Sequence, residues 1–137
     1  MTELRNDVDV VTAALERIGG LDIEAALELA DPDFVLELPY RADGGPNRMT
    51  GADAAKFMRV LPKLFSRMRF SDVTLHQGVT PGHVIAEYRS DGLTRDGRPY
   101  RNTYISVFEL RDGRIVLWRE YFDPSVIAQA FASTTGD

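Results

Sequence analysis

The sequence predicts an α+β fold: a cone made by a curved, mixed, mostly antiparallel β-sheet wrapped around N-terminal helices and enclosing a pocket. Three observations predict it. Helical patterns fill the first half of the chain, the stretch from Phe70 to Phe122 reads as strands and turns, and Asp123-Pro124 starts one more helix. Helices that precede an antiparallel meander gather on one of its faces. A chain of 137 residues suits a single domain. Such a domain buries roughly two thirds of its unfolded surface, enough for a core with a cavity inside it.

Residues 2–18 carry Leu4, Val8, Val11, Leu15 and Ile18 at helical spacing. Thr2 is the expected cap, and Gly19-Gly20 the expected left-handed stop. A short helix follows over 23–30, with Asp22 at its N-cap and Pro32 ending it. Residues 33–39 (DFVLELP) read as a strand closed by Pro39. Residues 40–51, with Gly44-Gly45-Pro46-Asn47, form the longest loop, and long loops in compact domains often lie over sites. A third helix spans 52–68, with a kink or break near Leu61 because Pro62 lies inside the pattern. Strands then run over about 70–77, 83–93, 99–110 and 114–122, punctuated by Thr80-Pro81-Gly82, Asp96-Gly97 and Asp112-Gly113. From Asp123-Pro124 a last helix reaches about residue 132, with a loose tail expected after it.

Acidic residues outnumber basic ones by 21 to 16, a net charge of −5. With no basic block, nucleic acid is not an expected partner. The absence of cysteine removes disulfides, thiolate nucleophiles and Cys-based metal sites. Two histidines, His76 and His83, speak against a His-rich zinc site, so neither a metal nor another cofactor is expected. No apolar run approaches the ~20 residues of a membrane span. The N-terminus lacks the basic-then-apolar order of a signal peptide. A soluble, cytoplasmic protein is expected.

The stretch from Tyr100 to Pro124 reads YRNTYISVFELRDGRIVLWREYFDP. It resembles the final hairpin of the SnoaL-like proteins, within the nuclear transport factor 2-like superfamily. The sharpest segment, DGRI…WREYFDP, is closest to the GKI…WRDYFD type of the epoxide hydrolases. The element order matches from about residue 4 to residue 132. The resemblance implies a nuclear transport factor 2-like, cystatin-like roll. Proteins of this kind include polyketide cyclases, limonene-epoxide hydrolases, phenazine-pathway proteins and ketosteroid isomerases. One fold here hosts many chemistries, so the motif identifies the fold better than the reaction.

Strand parity turns the motif into a site. A two-residue turn at Asp112-Gly113 puts Glu120 on the face of Ile105, and a three-residue turn over Arg111-Asp112-Gly113 puts it on the face of Tyr104. The resemblance favours the second. Its inner face carries Asn102, Tyr104, Ser106, Phe108, Val116, Trp118, Glu120 and Phe122. The same matching points Ala86, Tyr88 and Ser90 inward, and likewise Val35 and Glu37, with Leu64, Met68 and Phe70 closing the wall. The opposite face then shows Thr103, Ile105, Val107, Leu117 and Tyr121. A contiguous apolar patch of this kind marks an interface, and the expectation is a homodimer through it, as is common among the proteins resembled.

Glu120 is the first catalytic candidate. An inward carboxylate beside Tyr104 and Trp118 is costly unless paired or protonated, and desolvation raises its pKa toward neutrality. By the resemblance it holds the place of the active-site acid in the epoxide-hydrolase and phenazine types. Glu37 is the second: two carboxylates in one pocket leave one protonated, giving an acid and a base. Its other reading is a solvated strand end. Tyr104 is the assisting catalytic candidate. Asn102, Tyr88 and Ser90 are expected to orient a carbonyl or hydroxyl substrate, or else to be core polarity satisfied internally. Trp118, Phe122, Leu64 and Met68 supply apolar walls, or plain core. Arg119 alternates outward, Asp123 caps the last helix, and both histidines read as surface residues.

The sequence also departs from the relatives. Tyr88 and Ser90 stand where the epoxide hydrolases have an Arg-x-Asp pair, while Arg89 and Asp91 are one residue out of phase. Val35 and Glu37 replace their water-holding Tyr and Asn, and Leu38 replaces the base Asp of the ketosteroid isomerases. The expected function is therefore generic. It is carboxylate acid/base catalysis of cyclisation, isomerisation or hydration on a small hydrophobic, oxygenated metabolite. The alternative is a non-catalytic ligand-binding or dimeric accessory protein of the same fold.

Overall fold

In the computed structural model, which describes residues 6–132, the first helix opens at Asn6. Its side chain accepts the Asp9 N–H, and α1 runs Asp7–Gly19. The predicted cap Thr2, Leu4 and the tail after residue 132 lie outside the described residues. The stop differs from the glycine expected. Gly20 has φ −85°, and the left-handed residue is Leu21 at φ 62°. The Leu21 N–H bonds to Ile18 O and the Asp22 N–H to Arg17 O, which satisfies the last carbonyls. Packing of Leu21 against the core offsets its backbone strain.

Helix α2, Ile23–Leu27, is capped by Asp22 and stops well before Pro32. Pro32 instead lies inside β1, Ala30–Glu37, where the pairing with the strand over 114–122 shifts between Ala30 and Val35. The long loop contains β2, Arg48–Thr50, paired with β1. The predicted helix over 52–68 becomes α3, Gly51–Met58, and α4, Leu61–Leu64, broken ahead of Pro62. From Phe65 the chain is already strand: β3 runs Phe65–Gln77 against β4, His83–Thr94. The predicted strand 99–110 divides into β5, Pro99–Tyr100, and β6, Thr103–Arg111. Strand β7, Arg114–Phe122, and α5, Pro124–Ala130, complete the chain.

The strands lie in the order β2-β1-β7-β6-β4-β3, with β5 on β4; β1 and β7 are parallel and the other pairs antiparallel. Irregular pairings in β1, β3 and the β6–β7 hairpin help curl the sheet. Helix α1 buries Val10, Val11, Ala14 and Leu15 in the core and packs on β3 and β4. Strand β4 buries Val84, Ala86, Tyr88 and Ser90, and β6 buries Tyr104, Ser106 and Phe108.

The last hairpin resolves its register in a way neither alternative anticipated. Asp112 (φ 52°) and Gly113 (φ 76°) form a two-residue turn with Arg111 paired to Arg114. That turn alone would send Glu120 outward. Between the pairs Leu110–Ile115 and Glu109–Leu117, however, the ladder skips Val116. This β-bulge advances β7 by one residue. Beyond it Phe108 opposes Trp118, Ser106 opposes Glu120 and Tyr104 opposes Phe122. Glu120 thus shares the face of Tyr104. Val116, expected inward, is the skipped residue, and Ile115 is buried in its stead.

Strand β1 runs in the opposite phase to that expected. Leu36 pairs with Trp118 and Glu37 with Arg119, and paired residues share a face. Phe34, Leu36 and Leu38 are therefore buried, while Val35 and Glu37 turn away from the interior.

Candidate active site

Three adjacent strands hold the Glu120 carboxylate. The Tyr88 hydroxyl, from β4, donates to Glu120 Oε1 at 2.8 Å and bonds Ser106 Oγ, on β6, at 2.6 Å. Ser106 sits directly across the ladder from Glu120. The Trp118 indole N–H is the single buried side-chain polar atom without a partner among the described residues. Glu120 Oε2 has no partner among them either, yet it is not sealed off, and Glu120 lies on a pocket wall. Burial raises the carboxyl to about 7, and the bond from Tyr88, which favours the ionised form, offsets part of that rise. Near neutral pH both protonation states are populated, as acid/base work requires.

A second network lies beside the first. Asn102 Nδ2 donates to the Tyr100 hydroxyl, the Tyr100 and Tyr104 hydroxyls are 2.9 Å apart, and Tyr104 donates to Ser90 Oγ. The Tyr88 and Tyr104 rings stack at 4.9 Å. Burial pushes Tyr100 up to about 12, and Tyr88 and Tyr104 well above the usual phenol range, so all three stay neutral.

The pocket measures about 440 Å³, a size that takes a small organic molecule. Of the residues singled out from the sequence, Glu120, Tyr104, Trp118, Phe122, Leu64 and Met68 lie on its wall. Others do not. Tyr88 and Ser90 stand behind the wall, tied to Glu120 and Tyr104. Asn102 is off the wall with its amide fully engaged: Nδ2 also donates to Asp123 O, and Oδ1 accepts the Thr103 and Asp123 N–H groups. It fastens the start of α5 to the sheet and has nothing left for a ligand. Glu37 is on the other face, where Arg119 Nε donates to it at 2.8 Å and Arg48 approaches at 3.5 Å. Glu120 therefore has no second carboxylate beside it from Glu37, and the expected acid-and-base pair is not formed.

Sequence reasoning missed Tyr100, Phe57 and the Arg41–Asp43 pair, all on the wall. Tyr100 continues the alternation of Asn102 and Tyr104, which could have found it. Arg41 sits in a loop of Gly and Pro with no periodicity to read. Among the described residues, no three His, Asp or Glu side chains are grouped to hold a metal ion, and no helix is long and apolar enough to cross a membrane.

The sequence pattern of the SnoaL-like domain matches residues 11–118. The chain belongs to the SnoaL-like family. Its cone is the nuclear transport factor 2-like fold. This SnoaL-like chain is 38% identical over 115 residues to YesE, an uncharacterized protein of Bacillus subtilis (strain 168), covering 82% of this chain and 78% of that one. It is 31% identical over 121 residues to an uncharacterized PhzA/B-like protein of Pseudomonas aeruginosa, covering 87% and 85%. A crystal structure of a Bacillus subtilis protein provisionally called an isomerase superposes with a TM-score of 0.85 at 34% identity, covering 96% of each chain. The family match ends at Trp118, so Glu120 lies just past it.

Proposed function

We propose that this SnoaL-like protein is a cofactor-independent enzyme that moves a proton on a hydrophobic, oxygenated small molecule, with Glu120 as its acid and base. One observation carries the reading: a carboxyl raised to about 7, with Oε2 free, on the wall of an apolar pocket. As the carboxylate, Oε2 takes a proton from carbon beside a carbonyl or from water. As the acid, it returns that proton elsewhere. Return to another carbon is isomerisation; closure of the carbanion on a second carbonyl, with the proton returned to the new alkoxide, is cyclisation; and a proton taken from water, whose hydroxide adds to an electrophilic carbon while the acid protonates the atom that gives up its bond, gives hydration. Tyr88 acts through Oε1, holding the carboxylate in place, while Tyr104 and Tyr100 give the wall a polar edge. The name isomerase carried by the 34%-identical Bacillus subtilis protein supports this reading.

A thermal-shift screen of oxygenated aromatic and terpenoid compounds on wild type and Glu120→Gln tests it. The expected hit stabilises both proteins and is consumed by wild type, with turnover falling roughly 10²- to 10⁴-fold in the variant. A compound that binds both and is consumed by neither transfers the case to the non-catalytic binding reading.

We also propose a homodimer through the outer face that carries Thr103, Ile105, Val107, Leu117 and Tyr121. Ile105 is 46% exposed, and the Tyr40 ring meets Tyr121 edge-on at 5.4 Å, which widens the apolar patch. Wild type is expected to sediment at twice 15.3 kDa, and Ile105→Asp at that mass. Wild type sedimenting as a single chain removes the dimer.

A further inference from the structure

We infer that Arg41 is a subsite for an anionic oxygen group of the ligand, so that the molecule the pocket accepts is an apolar body bearing a carboxylate or a comparable anion. The inference rests on the reading of the Glu120 pocket as a small-molecule site, and names the ligand class within it.

The loop after β1 is built around the Arg41 guanidinium. Leu38 and Asn47 close its base through Leu38 N–H to Asn47 O and Asn47 Nδ2 to Leu38 O, each at 2.8 Å. Above that clasp the guanidinium lies over the Phe57 ring at 4.8 Å. Gly45 packs on it as well: a Cβ there would overlap the guanidinium and push the arginine head aside. Both Arg41 and Phe57 are on the pocket wall. The contact between Tyr40 and Tyr121 sets this loop beside the end of β7 that carries Glu120.

A guanidinium has five N–H donors. Nε and one Nη2 donor go to the Asp43 carboxylate, at 2.7 and 3.3 Å, and one Nη1 donor goes to Pro46 O at 2.9 Å. One N–H therefore remains on each terminal nitrogen, and paired guanidinium donors suit an anionic oxygen group. The ion pair is lopsided. The Arg41 side chain is 16% exposed and that of Asp43 66%, so the cation is held in the wall while its anion, also on the wall, is open to solvent. The Asp43 carboxylate, which also accepts the Gly45 N–H, holds the guanidinium through two bonds, and a ligand anion uses the two N–H groups that Asp43 and Pro46 leave over. Nor is Arg41 a counter-charge for Glu120, whose proton affinity follows from burial and Tyr88. In a chain of net charge −5, a fixed cation on an apolar wall is a means of admitting an acid.

Two fluorescent probes of the same ring system test this: 8-anilinonaphthalene-1-sulfonate, an anion, and N-phenyl-1-naphthylamine, which lacks the sulfonate. Trp118, the chain's single tryptophan, lies on the wall, so its quenching reports occupancy. Arg41→Gln is expected to weaken the anion about tenfold relative to the neutral probe. Asp43→Asn, which removes the counter-charge and frees one guanidinium donor, is expected to shift the same ratio the other way. An arginine that only clips the loop predicts that both variants disturb both probes alike, and an unchanged ratio in both variants overturns the inference while leaving the pocket standing. Failure of the neutral probe to quench wild type overturns the pocket reading itself, and this inference with it.

Discussion

At pH 8 the Glu120→Gln protein is expected to be more stable than wild type, by up to about 4 kcal/mol. The cause is the carboxyl at about 7 in the folded chain, against ~4.3 for an exposed glutamate. Between those two values the unfolded chain has released the proton and the folded chain still binds it. Stability supplied by the bound proton is complete below the unfolded value, falls as pH rises through the window, and is gone above about 7. Glutamine does not ionise and escapes the loss. Its amide must still place N–H groups against an apolar wall, which makes the figure an upper limit. Urea unfolding of both proteins from pH 4 to 8 measures the difference. A gap that opens with rising pH is expected, and a constant gap contradicts a buried, proton-retaining Glu120. A group kept at a cost in stability is what a functional site looks like.

Asn102→Ala is expected to cost on the order of 3 kcal/mol at every pH. The asparagine amide makes four bonds, to Tyr100, Thr103 and both backbone groups of Asp123. Alanine leaves the Asp123 groups without partners where β7 hands over to α5. Helix α5 supplies Pro124 and Ile127 to the pocket wall, so its amides should also exchange with solvent faster. A loss below about 1 kcal/mol, within the ordinary range for surface changes, contradicts the clamp.

Much of the cone was legible. The three turn signals among the strands, the Pro62 break and the Asp123-Pro124 helix start are local chemistry, and each governs its own few residues. What was not legible is non-local. Nothing in Ile115-Val116-Leu117 marks Val116 as a bulge, since it carries neither Gly nor Pro; only the match between the faces of β6 and β7 requires the skip. The resemblance placed Glu120 on the Tyr104 face through a three-residue turn, and the chain reaches that face through a two-residue turn and the bulge. Glu37 was lost by weighing family position over local alternation. Phe34, Leu36 and Leu38 mark the buried phase of β1, and burying Glu37 would have exposed all three. Residues 65–68 carry a helical pattern that pairing with β4 overrides, Phe65 to Thr94 and Met68 to Gly92.

The most direct measurement is a titration of the Glu120 side-chain carboxyl by carbon-13 NMR, its signal identified by its absence in Glu120→Gln. A midpoint near 7 is expected. A midpoint near ~4.3, that of a carboxylate in water, contradicts a proton-active Glu120 in the pocket wall.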